Sequence, residues 1–158
     1  MLLAEAADEQ SLLPCSFVTP DGFGPEFNPV TAVEAMLNKG VLLCWTDPQA
    51  EQFSPLPWCC GALYEALQSH CMPLLLDQGK ITCDDLDVVL TNFPRLRIIL
   101  INVYRQGRHR MLYPLFRRHE NLWMCLGPIY AVHQGIEDLC RTFGHERWVF
   151  GTGYPAAE

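Results

Sequence analysis

Four continuous apolar runs recur along the second half of this chain at intervals of 23 to 26 residues, starting near Pro73, Leu96, Asn121 and Arg147, with an earlier run starting at Val41. Each stops in a polar residue or a glycine: Asp77 to Gly79, Asn102, Gly127, and Gly151-Thr152-Gly153. Continuous rather than alternating hydrophobicity is the mark of strands buried on both faces. Between the runs, apolar residues repeat at helical spacing. Leu63, Ala66 and Leu67 form one such face, and Leu86, Val89, Leu90 and Phe93 form the next. Two more are Met111, Leu112, Leu115, Phe116 and His119, and Ile136, Leu139, Cys140 and Phe143. Alternating buried strands and amphipathic helices with short connections predict right-handed βαβ units, in an open doubly wound sheet or a closed (β/α)8 barrel.

The punctuation agrees with that rhythm. Thr82 with Asp85 predicts a capped helix start, Gly40 and Gly144 predict helix stops, and Pro94 closes the helix before the run at Leu96. Pro114 is expected near the first turn of its helix or at a kink. Earlier, residues 1–10 read as helical, Leu12 to Val18 as a strand interrupted by Pro14, and Thr31 to Lys39 as a short helix. Pro/Gly-rich loops span Pro20 to Pro29 and Thr46 to Pro57, the second carrying Asp47. No GxGxxG or GxxxxGK[ST] follows any strand, which speaks against a nucleotide-binding open sheet.

With 158 residues, 49% of them hydrophobic, a single domain or part of one is expected. No apolar stretch reaches the ~20 residues of a membrane span, and the acidic start lacks the basic region of a signal peptide. A soluble cytoplasmic protein without a membrane partner is the expectation. Residues 1–90 hold 13 acidic and 2 basic side chains, residues 91–158 hold 5 acidic and 9 basic. That balance disfavours nucleic acid as a partner. Arg105, Arg108, Arg110, Arg117 and Arg118 are read as a solvated helix face or an anion-attracting rim, with the solvated face preferred for Arg117 and Arg118. The eight cysteines show no CxxC spacing and are read as reduced core filler, the adjacent Cys59-Cys60 pair included.

From about Val41 onward the segments, in order, resemble the amidohydrolase superfamily in its amidohydrolase-related branch of TIM-barrel hydrolases and decarboxylases. Leu63-Tyr64-Glu65-Ala66-Leu67 followed by Met72-Pro73-Leu74-Leu75-Leu76 is similar to the family's helix and fifth strand. Asn92-Phe93-Pro94-Arg95-Leu96-Arg97-Ile98-Ile99-Leu100 is similar to the "FPxLKIVL" approach to the sixth, and Arg147 to Pro155 is similar to the "RILFGSDYP" eighth strand. The resemblance implies a (β/α)8 TIM-barrel-like fold, incomplete here at about six parallel strands, with 1–158 as a partial barrel domain. The family's first two strands and last helix are not represented.

The resemblance also implies a divalent metal, often zinc, at the barrel mouth, held by histidines and assisted by an aspartate on the eighth strand. At those positions stand Asp77, Asn102 and Gly153. They supply no zinc ligand set, so no metal and no other cofactor is expected. None of the five histidines, His70, His109, His119, His133 and His145, takes over; surface or helix-cap roles are preferred for them. Asp77, an acid at the end of a strand, is either a general acid/base or a residue that caps a helix and orders a loop. Asn102, Tyr104 and Arg105 would line the same rim, with Asp47 and Tyr154 as further substrate-binding candidates. No GxSxG elbow points to a serine triad.

Two functions follow as expectations. One is a hydrolase-like, metal-free protein acting on a small carboxylated or cyclic substrate. The other is a catalytically inactive barrel that binds a ligand or partner. A homo-oligomer is admitted by both.

Overall fold

The computed structural model describes residues 13–22, 26–103, 109–127, 130 and 134–153. The helix expected in residues 1–10 and the start of the strand expected at Leu12 lie outside them. Strands and helices alternate as β1 (Cys15–Phe17), α1 (Pro29–Asn38), β2 (Leu43–Thr46), α2 (Pro57–Ser69), β3 (Leu74–Asp77), α3 (Cys83–Asn92), β4 (Ile98–Ile101), α4 (His109–Arg118), β5 (Leu122–Leu126), α5 (Gly135–Phe143) and β6 (Trp148–Phe150). A single 3-10 turn, Gln78–Lys80, follows β3 directly. Pro14 precedes β1 rather than interrupting it, because a residue without an N–H is tolerated just outside a strand.

All six strands are parallel, and each pairs with the next in chain order, β1 to β6. A doubly wound sheet reverses its strand order partway; this one never does. Parallel strands in consecutive order, joined by the right-handed crossovers that such units adopt as a rule, put every helix on one face of the sheet, the winding of a (β/α)8 barrel. Between the two architectures open to the sequence, strand order selects an incomplete TIM-barrel-like sheet. Among the described residues, β1 and β6 are each paired on one side only.

The two faces of the sheet differ. Cys44, Leu74, Leu76, Ile98, Leu100, Leu122 and Met124 point to the helices and are fully buried against Leu63, Leu67, Leu86, Val89, Leu90, Leu112 and Phe116. Full burial of each such side chain stabilises the fold by about 1.5–3 kcal/mol. On the opposite face the register aligns Trp45, Leu75, Ile99 and Trp123 across four neighbouring strands. These are only partly covered, and Trp45 is 42% exposed. Burial on both faces, expected from the continuous apolar runs, is therefore found on one. The reason is geometric: in a barrel the inner face is covered by strands from the far side, and no described strand lies there.

Local signals act where the sequence places them. Asn28 Oδ1 accepts from Val30 N at 2.9 Å to open α1, and Gly40 with φ 78 takes the left-handed conformation that stops it. Thr82 Oγ1 accepts from Asp85 N at 3.0 Å to open α3. Pro114 sits inside α4, where it removes the bond that an N–H there would give to the Arg110 carbonyl. Near the far edge, Trp148 stacks edge-on with Phe116 at 5.1 Å and Phe143 at 6.2 Å between centroids. Its neighbour Phe150 is 82% exposed. No helix of the described residues is long and apolar enough to cross a membrane.

Candidate functional site

Of the acids and the amide singled out in the sequence, Asp77 and Asn102 are brought together at the carboxyl ends of β3 and β4, and Asp47 stands at the end of β2. Asp77 closes β3 and Asn102 follows β4; since Asp77 pairs with Ile101 in register, the two side chains meet across neighbouring strands. Asn102 has φ 53, a left-handed conformation that asparagine tolerates better than most residues. From there its Nδ2 donates to Asp77 Oδ2 at 2.7 Å. The backbone N–H of Gly79 donates to Asp77 Oδ1, also at 2.7 Å, as the carboxylate caps the 3-10 turn. Each oxygen thus accepts one short bond and keeps a further lone pair for another donor.

Asp47, at the end of β2, has a different task. Its Oδ1 accepts from Gln49 N at 3.1 Å and Ala50 N at 3.0 Å, which orders the loop into α2. Its Oδ2 lies 3.6 Å from Lys80 Nζ. Lys80 is a rim residue that sequence reasoning did not single out; as one of only two basic residues before residue 91, three after Asp77, it could have been noticed. Tyr104, Arg105 and Tyr154 lie outside the described residues, as does His133. Gly153, where the resemblance puts an aspartate, has φ 71 and brings no side chain.

The fit to a metal can be judged from these donors. Asp77 Oδ2 is engaged by an amide N–H, Asn102 offers a neutral oxygen, and Gly153 offers nothing. Among the described residues no group of three or more His, Cys, Asp and Glu is placed to hold a metal ion. A zinc centre needs three or four N, S or O ligands in fixed geometry, and this set does not fit one.

Several titratable groups away from the rim serve the core. Burial pushes the thiols of Cys44 and Cys60 up to about 12, so neither is a thiolate nucleophile at neutral pH. Cys60 Sγ donates to the Ser54 carbonyl at 3.1 Å and Tyr64 Oη to the Pro55 carbonyl at 2.9 Å, joining α2 to its preceding loop. Cys15 and Cys71, expected as core filler, are exposed at a sheet edge and after α2. His119 is not a surface residue: it follows the last turn of α4, its backbone N–H donating to the Leu115 carbonyl at 2.9 Å as a helix-end residue does, and its side chain is buried between α3 and α4 with Nε2 2.6 Å from Asp87 Oδ1. Arg118 joins it, 3.1 Å from Asp87 Oδ2, while its side chain remains exposed on the helix face as expected.

Beside the rim a cleft of about 380 Å³ opens between the β2–α2 loop, the 3-10 turn and the start of α3. Gly79 and Lys80 line it; Asp77 and Asn102 do not.

Comparison with protein-family models gave no match, and comparison with curated proteins gave none either. Among solved structures, the chain is similar to an uncharacterized TIM-barrel protein, Bb4693 from Bordetella bronchiseptica, with a TM-score of 0.74 and 18% sequence identity. The match covers 99% of this chain and 59% of that one, so the chain spans well under two thirds of its neighbour's length. At this identity the likeness establishes the fold alone, and it is the fold that the strand order defines.

Proposed function

We propose that the chain is an amidohydrolase-related protein, hydrolase-like, in which 1–158 forms a partial barrel domain. It acts without a metal on a small carboxylated or cyclic molecule held at the carboxyl rim of the strands. The observation that carries this reading is the bond between Asp77 and Asn102 across adjacent strand ends, where barrel enzymes place their chemistry. The segments that resemble the family's fifth, sixth and eighth strands fall on β3, β4 and β6, in order and with one strand between the last two.

In the proposed reaction the Asp77 carboxylate takes a proton from water as the water oxygen adds to an acyl carbon. It returns that proton to the leaving nitrogen or oxygen as the bond to carbon breaks, so Asp77 ends the cycle ionised as it began. Asn102 fixes the carboxylate through Nδ2, and its own Oδ1 can accept from the substrate. Arg105 is assigned the substrate carboxylate, and Tyr104, Asp47 and Tyr154 are assigned as further substrate-binding residues. A second reading, an inactive barrel that binds a ligand or partner, draws on the fact that both Asp77 oxygens already accept hydrogen bonds within the protein, Oδ1 from the turn it caps and Oδ2 from Asn102 after β4.

Incubating the chain with a panel of lactones, cyclic amides and aryl carboxylic esters, before and after dialysis against a chelator, separates the two. Products by mass spectrometry that persist after dialysis support the hydrolase-like reading. Binding by calorimetry with no product supports the second.

A further inference from the structure

The cleft beside the rim presents hydrogen-bond donors that the described fold does not use. Gln78, in the turn after β3, lines it and is 2% exposed. Its Oε1 is enclosed without a partner among the described residues; its Nε2 bonds to none of them either, but is not enclosed, and is the end of the amide that meets the cleft. The reverse orientation is the costlier one, since it would enclose two N–H donors in place of one acceptor. Buried amides are satisfied as a rule, so an open N–H₂ group on a side chain held this deeply points to an acceptor from outside the chain. Lys80 is the second donor. Its Nζ stands 3.6 Å from Asp47 Oδ2, which offsets its charge but is too long for a hydrogen bond, so its N–H groups remain available. With Lys80 offset and Asp85 also in the lining, the cleft has no net positive charge to draw an anion, while the two donors turn away a cation. Phe53, Ile81 and Met111 supply apolar wall, and the volume of about 380 Å³ is within the range of small-molecule sites.

We infer that this cleft binds an uncharged molecule that carries a carbonyl group on an apolar ring, the carbonyl oxygen accepting from Gln78 Nε2 with Lys80 Nζ as the second donor. A carbonyl oxygen has two lone pairs, one for each. The site stands apart from the proposed chemistry at Asp77, since neither Asp77 nor Asn102 lines it.

The test is titration of the ¹⁵N-labelled chain with three probes of one shape class: N,N-dimethylbenzamide, which has an acceptor and no donor, N,N-dimethylbenzylammonium, which has a donor and no acceptor, and benzoate. Binding is read directly, without turnover, so the outcome is independent of the hydrolase-like reading. The amide is expected to move the backbone resonances of Gly79, Ile81 and Thr82 and the side-chain N–H₂ pair of Gln78, with a Kd of about 1 mM, as suits a fragment-sized ligand. Both charged probes should bind more weakly. Gln78→Leu should weaken the amide by about tenfold, and Lys80→Met, at a partly exposed position that folding tolerates, by about threefold or more. If Gln78→Leu fails to fold, Lys80→Met and the shift of the Gln78 N–H₂ pair in the parent decide. Tighter binding of dimethylbenzylammonium would mean that the cleft presents an acceptor, and tighter binding of benzoate that the Lys80 charge rules it; either overturns the inference. So would amide binding that leaves the Gln78 N–H₂ pair unmoved, that is insensitive to both substitutions, or that is absent.

Discussion

Asn121 and the two deeply buried thiols show what single residues contribute. Asn121 is buried at the foot of β5, and its Nδ2 donates to the carbonyls of Phe93 and Leu96, both at 3.0 Å. It pins the turn between α3 and β4. Asn121→Ala is expected to destabilise the fold by about 1–3 kcal/mol, seen as a lower urea midpoint at unchanged slope. For Cys44 and Cys60 the folded pKa lies at about 12, above the ordinary 9.0 of the exposed thiol. The unfolded chain therefore loses these protons first as pH rises; the stability they contribute is complete below pH 9 and is lost progressively towards pH 12. Melting temperatures measured from pH 7 upward should fall beyond pH 9, and Cys44→Ala should flatten part of that fall. Elemental analysis of the purified chain should find no stoichiometric zinc, given Asp77, Asn102 and Gly153 at the positions in question; one tightly held metal per chain would contradict that. Asp77 and Asn102 were legible as candidates because strand ends can be read from apolar runs. The pairings of Lys80 with Asp47 and of His119 with Asp87 were not, because the partners sit on different elements, and pairing across elements leaves no trace in spacing.

Among the elements, α3 and α4 are held by a short network in which Asp87 receives both His119 and Arg118. Asp87→Ala leaves the His119 ring buried without that partner and should lower stability by about 1–3 kcal/mol. Thr82→Ala should cost about 1 kcal/mol through loss of the cap to Asp85 N, with the rest of α3 unchanged in amide exchange. The same helix was the easiest to read, since its cap, its period and its closing proline agree. Met111 and Ile136 were placed on inward faces but are exposed. Both stand in the first turn of their helices, where the period continues while the core beneath has ended. Sequence period reports which side of a helix is apolar, not how far the sheet extends under it.

For the whole molecule, the consecutive strand order and the uncovered inner face belong together. A barrel removes its edges by closing, and among the described residues β1 and β6 keep theirs. Trp45 on the inner face and Phe150 at the β6 edge add exposed apolar surface to unpaired backbone. Expressed alone, 1–158 is expected to associate or precipitate, and light scattering coupled to gel filtration should show more than a monomer; a monodisperse monomer with cooperative melting would mean that the open sheet is self-sufficient. The alternation of strands and helices was legible in the periodicity, whereas the choice of barrel over doubly wound sheet was legible only through the resemblance of the segments around Pro73, Leu96 and Arg147, because strand order is a property of pairing that spacing does not carry. The account as a whole rests on Asp77 as the proton-handling group of the rim. The measurement that reaches it most directly is kcat/KM of the parent and of Asp77→Asn on whichever ester or cyclic amide the parent turns over. A fall of at least about a hundredfold, with circular dichroism unchanged, is what general acid–base catalysis by this carboxylate predicts; undiminished turnover by Asp77→Asn, or turnover that appears only when zinc is added, would contradict it.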